Sequence, residues 1–67
     1  MTITLNNRSE NLDHSSLTVS ELLKVKNFTF KLLVVKINGK LVKKEDYNNT
    51  HIRDGDDVAV IHLISGG

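Results

Sequence analysis

The chain has 67 residues, no cysteine and a formal net charge of +1, and 39% of it is hydrophobic. This excludes a disulfide or thiolate framework and a charged disordered tail. It also leaves little room for a deep catalytic cleft, because a domain this short buries only about 60% of the surface its unfolded chain exposes.

Met1, Ile3 and Leu5 alternate with Thr2, Thr4 and Asn6. Period two with β-branched residues predicts a half-buried strand. Asn6-Asn7-Arg8-Ser9 is turn material, and Glu10 to Asp13 returns as a short second strand whose inward residue is Leu12. A helix start follows. Thr18 is a suitable N-cap, and Glu21 stands three residues later at the capping-box spacing. Leu17 and Leu22 are placed for a hydrophobic staple, and Val19, Leu22 and Leu23 share one helical face. Asn27 is the expected stop. A helix of about eight to ten residues does not stand alone in water, so its apolar stripe must pack on the strands.

Leu33, Val35 and Ile37 mark a third strand. Asn38-Gly39 predicts a tight turn, with Leu41 and Val42 as a short return strand. Lys43 to Thr50 reads as a polar loop that Tyr47 pins to the core. Asp54-Gly55-Asp56 is a turn. Val58 to Ile64 forms the last apolar strand and leads directly into Ser65-Gly66-Gly67. There is no repeat and no linker. The expected architecture is α+β: a mixed sheet of four to five strands with one main helix on one face. The position of the helix in the strand order suggests a β-grasp, with the first and last strands central and parallel. Residues 1–64 form the domain, and 65–67 form a flexible diglycine tail.

The charge pattern argues against nucleic acid, because the lysines are spread along the chain rather than clustered on one face. No apolar run approaches the roughly 20 residues of a membrane span, and the first residues lack the pattern of a signal peptide. A cytoplasmic protein is expected. His14, His51 and His62 lack metal-ligand spacing, and no serine–histidine–aspartate set can be assembled. Asp54 and Asp56 read as turn chemistry. No glycine-rich phosphate loop is present, so the chain is not expected to bind ATP.

The remaining chemistry-bearing group is the C-terminal carboxylate. Gly66 and Gly67 lack a Cβ, so another protein's backbone can approach them closely. Five extended residues from Leu63 to Gly67 reach roughly 17 Å, enough to enter a partner's channel. A carboxylate with a pKa near ~3.5 is ionised at neutral pH. It is a poor electrophile until it is activated, and the activating site must lie in another protein. Alternation along the last strand places Val58 and Val60 against the helix and Ala59, Ile61 and Leu63 on the opposite face, where they form a candidate partner-binding patch.

The chain resembles the ThiS family, sulfur carriers of thiamine biosynthesis within the ThiS/MoaD group of ubiquitin-like β-grasp proteins. The resemblance rests on Thr18-Val19-x-Glu21-Leu22-Leu23, Val34-Val35-Lys36-Ile37-Asn38-Gly39-Lys40-Leu41-Val42, Asp54-Gly55-Asp56 and terminal Gly66-Gly67. Lys43 stands where the family often has proline, and Tyr47 where it often has tryptophan. The resemblance implies a protein co-substrate with no catalytic site of its own. An E1-like, ThiF-type enzyme would use ATP and Mg²⁺ to adenylate Gly67. A cysteine-derived persulfide would convert it to a thiocarboxylate, and a ThiG-type thiazole synthase would accept the sulfur. Ser65 and Gly66 would thread the tail. The same tail chemistry serves carriers for molybdopterin, tRNA thiolation or amino-acid biosynthesis. A ubiquitin-like protein modifier and a bare β-grasp binding module are the other readings.

Overall fold

The computed structural model describes residues 1–29 and 32–63. The strands are β1 (Thr2–Leu5), β2 (Arg8–Asn11), β3 (Ser16–Thr18), β4 (Leu33–Ile37), β5 (Lys40–Val42), β6 (His51–Arg53) and β7 (Asp57–His62). One helix, α1 (Val19–Val25), follows β3, and a 3-10 turn spans Lys44–Asp46. Five strands form a mixed sheet in the order β2-β1-β7-β4-β5, while β3 and β6 form a separate antiparallel pair. β1 and β7 are central and parallel, and the other pairings are antiparallel. This is the β-grasp arrangement expected from the element order.

The hairpin joining β1 and β2 is tighter than the sequence suggested. Leu5 pairs with Arg8, so only Asn6 and Asn7 form the loop. Both take positive φ, 52° and 67°, a conformation asparagine tolerates better than other residues with a Cβ. A two-residue turn of this kind matches the twist of its strands. The second strand therefore begins at Arg8 rather than Glu10, and Leu12 is buried just beyond it. Asn38-Gly39 makes the equivalent turn between β4 and β5, with φ of 52° and 84°.

Helix α1 has the capping box expected from Thr18 and Glu21. The Glu21 N–H donates to Thr18 Oγ1 at 3.1 Å, and the Thr18 N–H donates to Glu21 Oε1 at 2.9 Å. The helix is shorter than expected because Asn27 adopts a φ of 57°. The Asn27 N–H then donates to the Lys24 carbonyl at 3.0 Å, and the Phe28 N–H donates to the Leu23 carbonyl at 2.8 Å. This pair of bonds is a Schellman closure, and its hydrophobic contact partners, Leu23 and Phe28, both pack on the core.

The buried core joins Val19 and Leu22 of the helix to Ile3, Leu5, Val35, Val58 and Val60 of the sheet. Leu17 of β3 and Ile52 of β6 close its end. The two short strands and the 3-10 turn were not anticipated. They supply what the helix start needs, because the first N–H groups of a helix have no partner inside it. The Val19 N–H donates to the Thr50 carbonyl at 2.9 Å, and the Ser20 N–H donates to the Tyr47 carbonyl at 3.1 Å. Tyr47 packs against the core, as expected. A salt bridge of 2.9 Å between Lys26 and Glu10 ties the far end of the helix to β2. Among the described residues, no helix is long and apolar enough to cross a membrane.

The capping box yields a stability prediction. Thr18→Ala should cost about 1 kcal/mol, a drop of roughly 4–8 °C in Tm for a domain of this size. The Thr18 N–H donated to Glu21, with help from the Thr18 hydroxyl, holds the Glu21 carboxyl below the ordinary glutamate range. Its contribution is therefore fully present above the unfolded value, near ~4.3, and is lost as pH falls through the lower folded value. Urea unfolding at neutral and acidic pH should show the stability gap between wild type and Glu21→Gln closing in acid. A gap that widens in acid would contradict the assignment.

A second prediction concerns Asn6, whose side-chain carbonyl accepts the Val60 N–H at 2.8 Å. Asn6→Ala removes that bond and puts alanine at positive φ. It should cost about 2 kcal/mol, roughly half from the bond and half from the backbone, measured by urea unfolding.

Candidate functional site

β7 is the central strand and the last described element before the chain's C-terminal end. Three sets of bonds hold it. On the β1 side, the Thr4 N–H donates to the Asp56 carbonyl and the Asn6 N–H to the Val58 carbonyl, both at 2.9 Å. The Val60 N–H reaches the Asn6 side chain, which extends the β1 contact past the end of that strand. On the β4 side, pairing runs from Ile37–Val58 to Leu33–His62. The Leu63 N–H carries it further by donating to the Leu32 carbonyl at 2.9 Å.

The turn before β7 is cross-linked to both neighbouring strands. Asp54 Oδ1 accepts the Thr2 N–H at 2.7 Å, and the Gly55 N–H donates to the Thr2 carbonyl at 2.8 Å. Asp56 accepts from the Arg53 N–H at 2.9 Å and from Asn38 Nδ2 at 3.1 Å. The Asp57 N–H donates to Asn38 Oδ1 at 2.9 Å. Gly55 takes a φ of 87° to make the turn. The carboxylates of Asp54 and Asp56 thus serve backbone and amide donors. Among the described residues, no group of three or more His, Cys, Asp or Glu side chains is placed to hold a metal.

The alternation read from the sequence holds along β7. Val58 and Val60 are buried on the helix side. Ala59 is half-buried, while Ile61 and Leu63 are 45% and 46% exposed on the opposite face. Strand register adds residues that β7 alone does not reveal. Val34 lies opposite Ile61, and Lys36 lies opposite Ala59 on one side and Leu41 on the other. Leu32 bonds Leu63 at the end of the ladder. Leu32 and Leu41 are 49% and 62% exposed. The open face therefore carries a run of apolar side chains with Lys36 among them. At its β1 end, Asn6, Asn7, Lys36, Asp57, Ala59 and Ile61 help line a shallow depression of about 300 Å³.

Ser65, Gly66 and Gly67 lie outside the described residues, as does Ile64 at the end of the expected strand. β7 itself is described through His62 and Leu63 follows it, so the sheet delivers the chain toward these residues from the edge of the apolar face. The three histidines are exposed: His14 lies in the bend between β2 and β3, and His62 ends β7. His51, expected in a loop, is on β6.

The ThiS family model matches residues 2–67. Among solved structures, the chain is similar to a crystal structure of a thiamine biosynthesis protein (ThiS) from Geobacter metallireducens. The identity is 30%, the TM-score is 0.90, and all of both chains is covered. A solution structure of a thiamine biosynthesis protein from the same organism matches at 30% identity and a TM-score of 0.81, covering all of this chain and 88% of the other. No curated protein sequence matches significantly.

The two faces of β7 predict opposite responses to one substitution. Ile61→Glu should change stability by about 0.5 kcal/mol or less, as expected for an exposed site. Val60→Glu buries a charge and should unfold the domain under conditions where wild type is folded. Circular dichroism melts of the two variants make the check, and unfolding by Ile61→Glu would overturn the face assignment.

Proposed function

The chain belongs to the ThiS family of sulfur carrier proteins, and from that premise we propose that Gly67 is the residue that carries the sulfur. In this reading Ser65 and Gly66 thread Gly67 into a partner's active site, where the missing Cβ of glycine lets another backbone approach closely. The observation that supports this reading most directly is the course of β7. The central strand of the sheet, paired on both sides, runs toward the C-terminal end, and Ile61 and Leu63 near that end are exposed and apolar. A rigid strand beside an apolar docking face orients a tail without adding catalytic groups.

In the proposed cycle the chain is a co-substrate. A carboxylate oxygen of Gly67 attacks the α-phosphorus of ATP in an E1-like, ThiF-type enzyme, with Mg²⁺ supplied by that enzyme, and pyrophosphate leaves. The terminal sulfur of a cysteine-derived persulfide then bonds to the carbonyl carbon, and AMP leaves with the electron pair of the broken C–O bond. A partner thiol cleaves the S–S bond, becoming oxidised to a disulfide and leaving the thiocarboxylate on Gly67. A ThiG-type thiazole synthase takes that sulfur into the thiazole moiety of thiamine. Ala59, Ile61 and Leu63 form the docking face for these partners, whose binding would bury the apolar run.

Intact-mass measurement after co-expression with the activating enzyme and a sulfur donor is the test. The expected result is a mass increase equal to replacing one oxygen by sulfur, abolished when Gly67 is deleted. Ile61→Glu should weaken association with the activating enzyme at least about tenfold, equivalent to about 1.4 kcal/mol. Higher-mass conjugates would instead indicate a protein modifier, and an unchanged mass with every partner present would reject the carrier reading.

A further inference from the structure

A second surface lies at the end of the sheet opposite Leu63, the last described residue. β5 is the outer strand of the five-stranded sheet, and β6 pairs with β3 alone. A groove of about 390 Å³ runs between them. Ile37 and Val42, both half-buried and packed against the core, form its apolar floor. Lys40, His51 and Arg53, all exposed, stand around it. Asp56 also borders the groove, but its carboxylate already accepts hydrogen bonds from Asn38 and the Arg53 backbone. The one salt bridge among the described residues joins Lys26 to Glu10, elsewhere on the molecule. The Lys40 and Arg53 charges are therefore not neutralised by an ion pair among the described residues.

The backbone at this groove is also available. Ile37 and Lys40 flank the two-residue turn and form the hydrogen-bonded pair of the hairpin. Bonding alternates along an antiparallel ladder, so Leu41 is in a non-bonded pair with Lys36 and its N–H and C=O point outward, toward the free edge. An extended peptide laid along that edge gains main-chain bonds to Leu41, and its alternate side chains drop toward the groove. Two cations around an apolar floor select a segment in which acidic residues alternate with apolar ones.

We propose that the groove between β5 and β6 is a second docking site, which takes an extended acidic–apolar segment of a partner protein. A second copy of this chain is a poor occupant, because edge-to-edge pairing through β5 would bring Lys40, Lys43 and Arg53 of both copies together. The position of the groove gives it a use. Ile37 pairs with Val58 at one end of β7, and Leu33 pairs with His62 at the other. The two ends are about 13 Å apart along the strand. A partner seated on the groove holds the domain while the C-terminal end stays open to a different enzyme. The inference does not depend on what Gly67 carries, so its test leaves the sulfur-carrier reading untouched.

The test is an NMR titration of the full, isotope-labelled chain with an acetylated, amidated peptide of sequence Glu-Val-Glu-Val-Glu. The expected result is saturable amide shifts centred on Lys40, Leu41, Val42, His51 and Arg53, weakened by added salt. The double variant Lys40→Glu, Arg53→Glu should bind at least about tenfold more weakly. The milder Lys40→Gln, Arg53→Gln pair should also weaken binding, and its spectrum checks that the fold is retained. Four outcomes would overturn the proposal: no saturable shift, shifts centred on Ile61 and Leu63, equal binding of Lys-Val-Lys-Val-Lys, or the same shifts from inorganic phosphate or a short oligonucleotide.

Discussion

The register of β7 between β1 and β4 is the constraint on which the rest of the molecule depends. Side chains alternate along a strand, so a slip of one residue would turn Val58 and Val60 outward and bury Ala59 and Ile61 in their place. The core would lose two of its central contributors, and the open face would lose its apolar run. Parallel pairing of β1 and β7 has no local turn to set this register, because the two strands lie at opposite ends of the chain. Side chains take over that role. Asp54, Asp56, Asn38 and Asn6 each bond the backbone of a neighbouring segment, and together they tie the start and middle of β7 to its flanking strands. The Asp-Gly-Asp turn therefore acts as a register lock, which explains why its carboxylates are committed to structure.

The helix depends on contacts that are equally remote in sequence. Its cap is local, and a reader of the chain can find it from Thr18 and Glu21 alone. Its next two donors are satisfied by carbonyls of Thr50 and Tyr47, some thirty residues away. A segment that looks like an undivided polar loop thus folds as a 3-10 turn and a short strand. Three-residue strands such as β3 and β6 carry too little periodicity to be recognised. What stabilises them is the need to fill the helix start and to bury Leu17 and Ile52, both effectively inaccessible to solvent. The same limit applies at the first hairpin. Four polar residues signal a turn, but only the left-handed conformations of Asn6 and Asn7 decide that two of them suffice.

More of the open apolar face was legible than might follow from so short a chain, because one strand with strict alternation assigns its own two faces. Ala59, Ile61 and Leu63 can be placed from β7 alone. Their neighbours Val34, Leu32 and Leu41 cannot, since that assignment requires knowing which residue of β4 stands opposite which residue of β7. The basic groove was illegible for the same reason on a larger scale. Lys40, His51 and Arg53 are ordinary surface residues when read in sequence, and their convergence exists only because β5 and β6 are brought side by side by the folding of the intervening loop.

The arrangement separates two tasks along a single strand. At one end of β7, hydrogen bonds are dense and the side chains are committed to holding the sheet together. At the other end, β1 has already stopped, β4 alone flanks the strand, and the apolar side chains of Ile61 and Leu63 are exposed on either side of His62 in sequence. A carrier must present its terminal group repeatedly to other proteins without unfolding. Placing the register lock at the far end allows the near end to be handled by partners while the bonds that define the fold stay undisturbed. A groove beside the lock then offers a second protein a grip on the domain away from the C-terminal end of β7, next to the hydrogen bonds that hold the sheet in register.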